Sequence, residues 1–164
     1  MINLIKTRRS IRQFQDQPVS DNIIYEILEA GRWAPSGKNN QPWRFVVIKN
    51  REIKDKLASL TQYSSIIKSS DFAVAIFYHA PSGYDRDKDL MSLGSCIQNM
   101  LLQAHASGIG SVWLGEILKN KKKINPILEI GEENENMAII AFGYPKNKAE
   151  SERLSMNELL LKIL

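Results

Sequence analysis

At 164 residues, with 43% hydrophobic and 24% charged side chains, the chain is the size of one compact domain and lies outside the compositional range of disordered segments. Its net charge of +4 suits a polyanion or a small anionic ligand, but the basic residues are spread along the chain, so nucleic-acid binding is not expected. The lone Cys96 excludes an intrachain disulfide, and the first residues lack the order of a signal peptide, which makes the cytoplasm the expected compartment.

No repeat or flexible linker divides the sequence, so a single domain over residues 1–164 is expected. Ser20 reads as an N-cap for a helix that carries Ile23, Ile24, Ile27 and Leu28 at helical spacing and runs to about Trp33, before Pro35. Phe45 to Ile48 reads as a strand, and Ile53, Leu57 and Leu60 mark a second helix. Further strands are expected at Phe72 to Tyr78, Ser111 to Leu114 and Met137 to Phe142, all apolar on both faces, the last closed by Gly143 and Pro145.

The longest helix is expected from about Lys88 to Ala106, with Leu90, Leu93, Ile97, Leu101 and Ala104 in one stripe widened by Met100 and Leu102. Leu90 to Gly115 carries no formal charge, but Ser92, Gln98, Asn99, Gln103 and His105 interrupt it, so a buried helix fits better than a membrane span. A sheet covers one side of such a helix, and a partner subunit is a natural cover for the other. The run Lys119, Lys121, Lys122 and Lys123 reads as a solvated helix or loop face.

Several chemistries are set aside by spacing. Gly108-Ile109-Gly110 follows a helix and precedes a strand, the reverse of a dinucleotide-binding turn, and reads as a helix-to-strand connection. There is no Gly-Lys-Ser/Thr phosphate loop, and His79 and His105 lack partners at metal-ligand spacing, so no metal is expected. Cys96 falls within the apolar helix as a small hydrophobe, and His105 is expected to be a favourable charge partner for a helix C-terminus.

Two constellations remain. Arg8-Arg9-Ser10-Ile11-Arg12 offers three guanidinium groups and a hydroxyl, suited to a phosphate ester, with a plain basic surface patch as the alternative. Ala34-Pro35-Ser36-Gly37-Lys38-Asn39-Asn40-Gln41-Pro42-Trp43, between a helix and a strand, is a restricted loop rich in polar groups able to address a flat heterocycle, or else merely a well-tied connection.

Taken together and in this order, these two segments resemble the paired N-terminal signature of the nitroreductase family. Ile97 to Ala104 followed by Ser107 to Gly115 is similar to that family's central helix and next strand, and Ala141-Phe142-Gly143-Tyr144-Pro145 to its last core strand. The resemblance implies an α+β fold, an antiparallel sheet flanked by helices, and a homodimer with FMN at the subunit interface. It implies that Arg8, Arg9, Ser10 and Arg12 hold the phosphate, ribityl and pyrimidine side of FMN, with Arg153 closing on the phosphate. Pro35, Ser36, Gly37 and Asn39 would come from the other subunit. Gln62 would contact the isoalloxazine, and Trp113, Leu114 and Gly115 would pass the reactive ring.

Ser151 stands where the family often has a second basic residue, so Lys146 or Lys148 is expected to compensate, or the site to be weaker. The chain is also short for the family between Tyr78 and Leu90 and between Gly115 and Met137, where larger members shape substrate pockets. The implied activity is transfer of electrons from NADH or NADPH through flavin to nitroaromatic, quinone or similar acceptors in a ping-pong cycle. No protein nucleophile is expected, and Arg12 is the candidate for stabilising charge on reduced flavin. Alternatives are a non-catalytic flavin carrier or sensor, a dehalogenase-like enzyme and a flavin-destroying enzyme of the same fold.

Overall fold

The β-branched and aromatic runs form one antiparallel sheet in the computed structural model, which describes residues 1–164. The strands are β1 (Trp43–Ile48), β2 (Phe72–His79), β3 (Gly110–Leu114) and β4 (Asn134–Gly143), in the order β1-β2-β4-β3. Each expected strand is present, and β1 and β4 begin earlier than their apolar runs because pairing carries Trp43 opposite Tyr78 and Asn134 opposite His79. The two central strands are shielded on both faces, which explains their unbroken hydrophobicity.

Alternate residues of each strand feed two separate cores. Phe72, Val74, Ile76, Ile140 and Phe142 meet α2 (Asp21–Arg32) and α5 (Arg86–Ala106) on one face. Ala73, Ala75, Phe77, Val112 and Leu114 meet α3 (Arg51–Ala58), α4 (Ser64–Ser69) and α6 (Lys121–Leu128) on the other. The result is an α+β fold with the sheet between two helical layers.

Helix α2 begins after Ser20 as expected, but the Ser20 hydroxyl makes no capping bond; the backbone bond from Ile24 N to Ser20 O starts the helix. In α5 the expected stripe is buried or half-buried, and Met91 is exposed. No helix is long and apolar enough to cross a membrane. Gly108, at φ 74°, makes the expected turn from α5 into β3. Lys119 pairs with Glu116, and Lys121 with Glu135, so the lysine run is partly tied by carboxylates. A short helix, α1 (Ile2–Thr7), precedes the arginine cluster, and residues 151–164, which include α7 (Met156–Leu159), are exposed throughout.

Candidate functional site

The N-terminal segment runs parallel to the outer edge of β3. Ser10 bridges to Ser111, and the Ile11 amide donates to the Ser111 carbonyl over 3.0 Å. The same path continues through Gln15 N to Tyr144 O at 2.9 Å and Lys146 N to Gln13 O at 3.0 Å. Arg12, with the adjacent Gln13 and Phe14, lines a cavity of about 510 Å³ with Gln62, Tyr63 and Lys146. Arg9 and Ile11 instead line one of about 700 Å³ with Thr7, His105, Gly108 and Lys148.

Arg9 and Arg12 thus line different cavities. Arg9 Nη1 turns back to the carbonyls of Lys6, at 2.6 Å, and Arg8, at 2.8 Å, which closes the end of α1. Its buried Nε has no partner. Arg8 lies where positive charge converges: burial, then the fields of Arg153 and Arg9, push its guanidinium below the usual arginine range. An anion placed there would relieve this repulsion.

His105 belongs to the same cluster. Its Nε2 lies 2.9 Å from Thr7 Oγ1, and burial followed by the charges of Arg8 and Arg9 push its pKa down. Burial, and then the two arginines, thus work against the charged form expected of this histidine at the end of α5. Arg153 bonds Ser151 Oγ at 2.8 Å, so Ser151 orients the remaining arginine, while Lys146 and Lys148 line the cavity of about 700 Å³ with Arg9.

Ser111 uses its carbonyl toward the N-terminal segment, so strand alternation aims the Trp113 N–H to the same outer side. Trp113 is exposed, whereas the Leu114 side chain is in the core, which leaves Leu114 only its backbone to offer. Beyond Gly115, Glu116 accepts a bond from Thr61 Oγ1 at 2.5 Å, tying the Gln62 loop to the end of β3. The hydrogen bond from Lys119, then that from Thr61, hold the Glu116 carboxyl below the usual range. Sequence reading missed Thr61 and Glu116, because their pairing spans two loops with no shared motif.

Pro35, Ser36, Gly37 and Asn39 lie in the connection from α2 to β1. Lys38, Asn39 and Gln41 hold φ values of 54°, 56° and 47°, and left-handed backbone at non-glycine residues costs of order 1–3 kcal/mol each and gathers at functional sites. The Gln41 amide donates to Ser36 Oγ over 3.0 Å, closing the loop upon itself.

The structure places Ser10, Trp113 and Gly115 along the β3 edge of the sheet, with Gln62 tied in through Thr61 and lining a cavity with Arg12, and Arg8 beside Arg153; the Pro35–Asn39 loop lies at the opposite, β1 edge. The loop leads into Trp43, opposite Tyr78 and thus Glu135, whereas Ser111 faces Phe142. With strands about 4.8 Å apart, the three spacings from β1 to β3 put the two groups roughly 14 Å apart across the sheet, and Trp113, opposite Ile140, stands a further distance of roughly 17 Å along it.

The nitroreductase family model matches residues 5–70 and 61–144 of this chain. The chain is a member of the nitroreductase family. An Archaeoglobus fulgidus protein named an NADH dehydrogenase/NAD(P)H nitroreductase is 33% identical over 152 residues, covering 91% of this chain and 87% of that one. A Desulfovibrio desulfuricans nitroreductase solved in complex with FMN superposes with a TM-score of 0.96 at 41% identity, over 99% of this chain and 96% of that one. A Clostridium acetobutylicum protein named an NADH oxidase gives a TM-score of 0.90 at 27% identity, over 98% and 99% of the two chains. The expected family and the antiparallel sheet flanked by helices are thus borne out.

The donors of this nitroreductase-family chain fit a phosphate-bearing planar group. Arg8 and Arg153 converge without a counter-charge, and an outward backbone N–H stands beside an exposed aromatic residue.

Proposed function

We propose that the protein is an FMN-dependent NAD(P)H oxidoreductase that passes electrons to nitroaromatic, quinone or similar acceptors by a ping-pong mechanism. It acts as a homodimer of single-domain chains, residues 1–164, with FMN between the subunits. The observation that carries this reading is the division of the candidate site: its two halves occupy opposite edges of one sheet, so a second copy is needed to bring them together. Exposed apolar residues support association, among them Trp33, Met91 and, in the C-terminal segment, Leu154, Leu161 and Ile163. The FMN bound by the Desulfovibrio desulfuricans protein and the NAD(P)H in the name of the Archaeoglobus fulgidus protein accord with the donor set found here.

When bound, FMN supplies hydride acceptance from NAD(P)H and electron delivery to the acceptor. Arg8 and Arg153 neutralise its phosphate, with Ser10 donating beside them. Arg12 approaches the pyrimidine side, where a fixed positive charge lowers the cost of negative charge on that edge. The Trp113 N–H and Gln62 address the ring, while Pro35, Ser36, Gly37 and Asn39 of a second copy cover it. Arg9 stiffens the arginine segment through Lys6 and Arg8 rather than reaching the ligand.

The test is the visible spectrum of the purified protein, reconstituted with FMN where needed, before and after anaerobic NADH or NADPH. A flavin spectrum that bleaches is expected. A bound flavin that resists both reductants would make the protein a carrier, and failure to bind FMN would overturn the assignment.

A further inference from the structure

The bond from Gln41 N to Ser36 Oγ closes the 35–41 connection upon itself but does not tie its three left-handed residues to the rest of the fold. Between Asn39 and Gln41, Asn40 alone returns to right-handed backbone, at φ −74° and ψ −17°. Its Nδ2 donates to Asp89 Oδ1 over 2.7 Å and to the Ser82 carbonyl over 2.9 Å. Asp89 lies in the first turn of α5 and is fully buried. Its other oxygen accepts from Tyr84 N at 2.9 Å, Asp85 N at 3.3 Å and Tyr78 Oη at 3.3 Å.

One carboxylate thus joins the loop, the segment before α5 and the end of β2. Tyr84 completes the contact: its ring presses so closely on Gly37 that a Cβ there would stand 2.0 Å from the hydroxyl. Burial pushes the Asp89 carboxyl up, but the bonds from Asn40 and the backbone of Tyr84 and Asp85 more than offset it, so the group stays ionised. A buried charge this fully bonded fixes geometry more firmly than a neutral acceptor would.

We propose that Asp89 and Asn40 form a positioning clamp that sets the cofactor-facing shape of the Ser36–Asn39 loop, which a second copy presents to FMN. The clamp touches neither FMN nor the reacting atoms and acts only through the loop. This inference rests on the proposed function above, specifically on the loop contacting FMN.

The experiment measures FMN dissociation constants and the visible circular dichroism of bound flavin for Asn40→Ala, Asp89→Asn, the double variant, and Ser36→Ala/Asn39→Ala. Far-UV circular dichroism confirms that each apoprotein is folded. Asn40→Ala, which alters a half-buried loop side chain, keeps the test open should Asp89→Asn fail to fold. Each clamp variant is expected to weaken FMN binding about tenfold and change the flavin dichroism, and the double variant to bind no worse than the weaker single, because both act through the same loop. Native affinity and dichroism in Asn40→Ala, with weakened binding in Ser36→Ala/Asn39→Ala, would overturn the clamp alone. Native affinity in Ser36→Ala/Asn39→Ala would overturn the loop's contact with FMN, and the clamp with it.

Discussion

Gly110 gives Ile11 its place: a Cβ on Gly110 would lie 2.9 Å from both Cβ and Cγ2 of Ile11. The missing side chain lets the arginine segment lie against β3 and make the Ile11–Ser111 hydrogen bond. Gly110→Ala is expected to push the segment outward at a cost of about 1–3 kcal/mol. Urea unfolding of the apoprotein checks this, and FMN titration should show weaker binding, since Ser10 and Arg12 move with the segment.

Arg153→Ala separates ligand binding from stability. Removing one of the charges that depress Arg8 takes away a repulsion from the apoprotein, so its melting temperature should hold or rise. FMN affinity should fall roughly 10- to 100-fold, the worth of one or two charge-assisted hydrogen bonds. Calorimetry of the apoprotein and fluorescence titration with FMN measure the two effects, and a matched fall in both would count against the phosphate role.

The lowered pKa of His105 makes stability depend on pH with a definite sign. An unfolded histidine takes up a proton below about 6.5, whereas the folded imidazole, half-buried beside two arginines, resists it. This contribution is present above the unfolded pKa and lost as pH falls through the folded one. Melting curves between pH 5 and 8 should show the loss in wild type, and His105→Gln should flatten it.

Cys96 should be inert in the folded protein. It is fully buried, and burial pushes its thiol up to about 12, so almost no thiolate forms at neutral pH. Iodoacetamide is expected to label it only at the rate of unfolding, and rapid labelling under native conditions would contradict the packing of α5.

The sheet was legible because its strands are buried on both sides and carry long β-branched runs, as in Phe72 to Tyr78. The α2 and α5 helices were legible from periodicity. Short α1 and α4 were not, since six residues barely exceed one turn and take their shape from packing. The arginine cluster and the Pro35–Asn39 loop were identifiable as segments, but not the placement of Arg9 and Arg12 in different cavities, which depends on how the segment bridges to β3 at Ser10–Ser111. Nor was the Asn40–Asp89 bond legible, because 49 residues separate its partners.

The diagonal placement of the two half-sites has a genetic consequence. In the proposed dimer, a chain defective in Arg12 and one defective in Asn39 are each inactive alone. Mixed together, they form heterodimers in which one site carries both defects and the other carries none. Two null alleles expressed in one cell would then complement each other, at up to half the activity of a native dimer for each heterodimer formed.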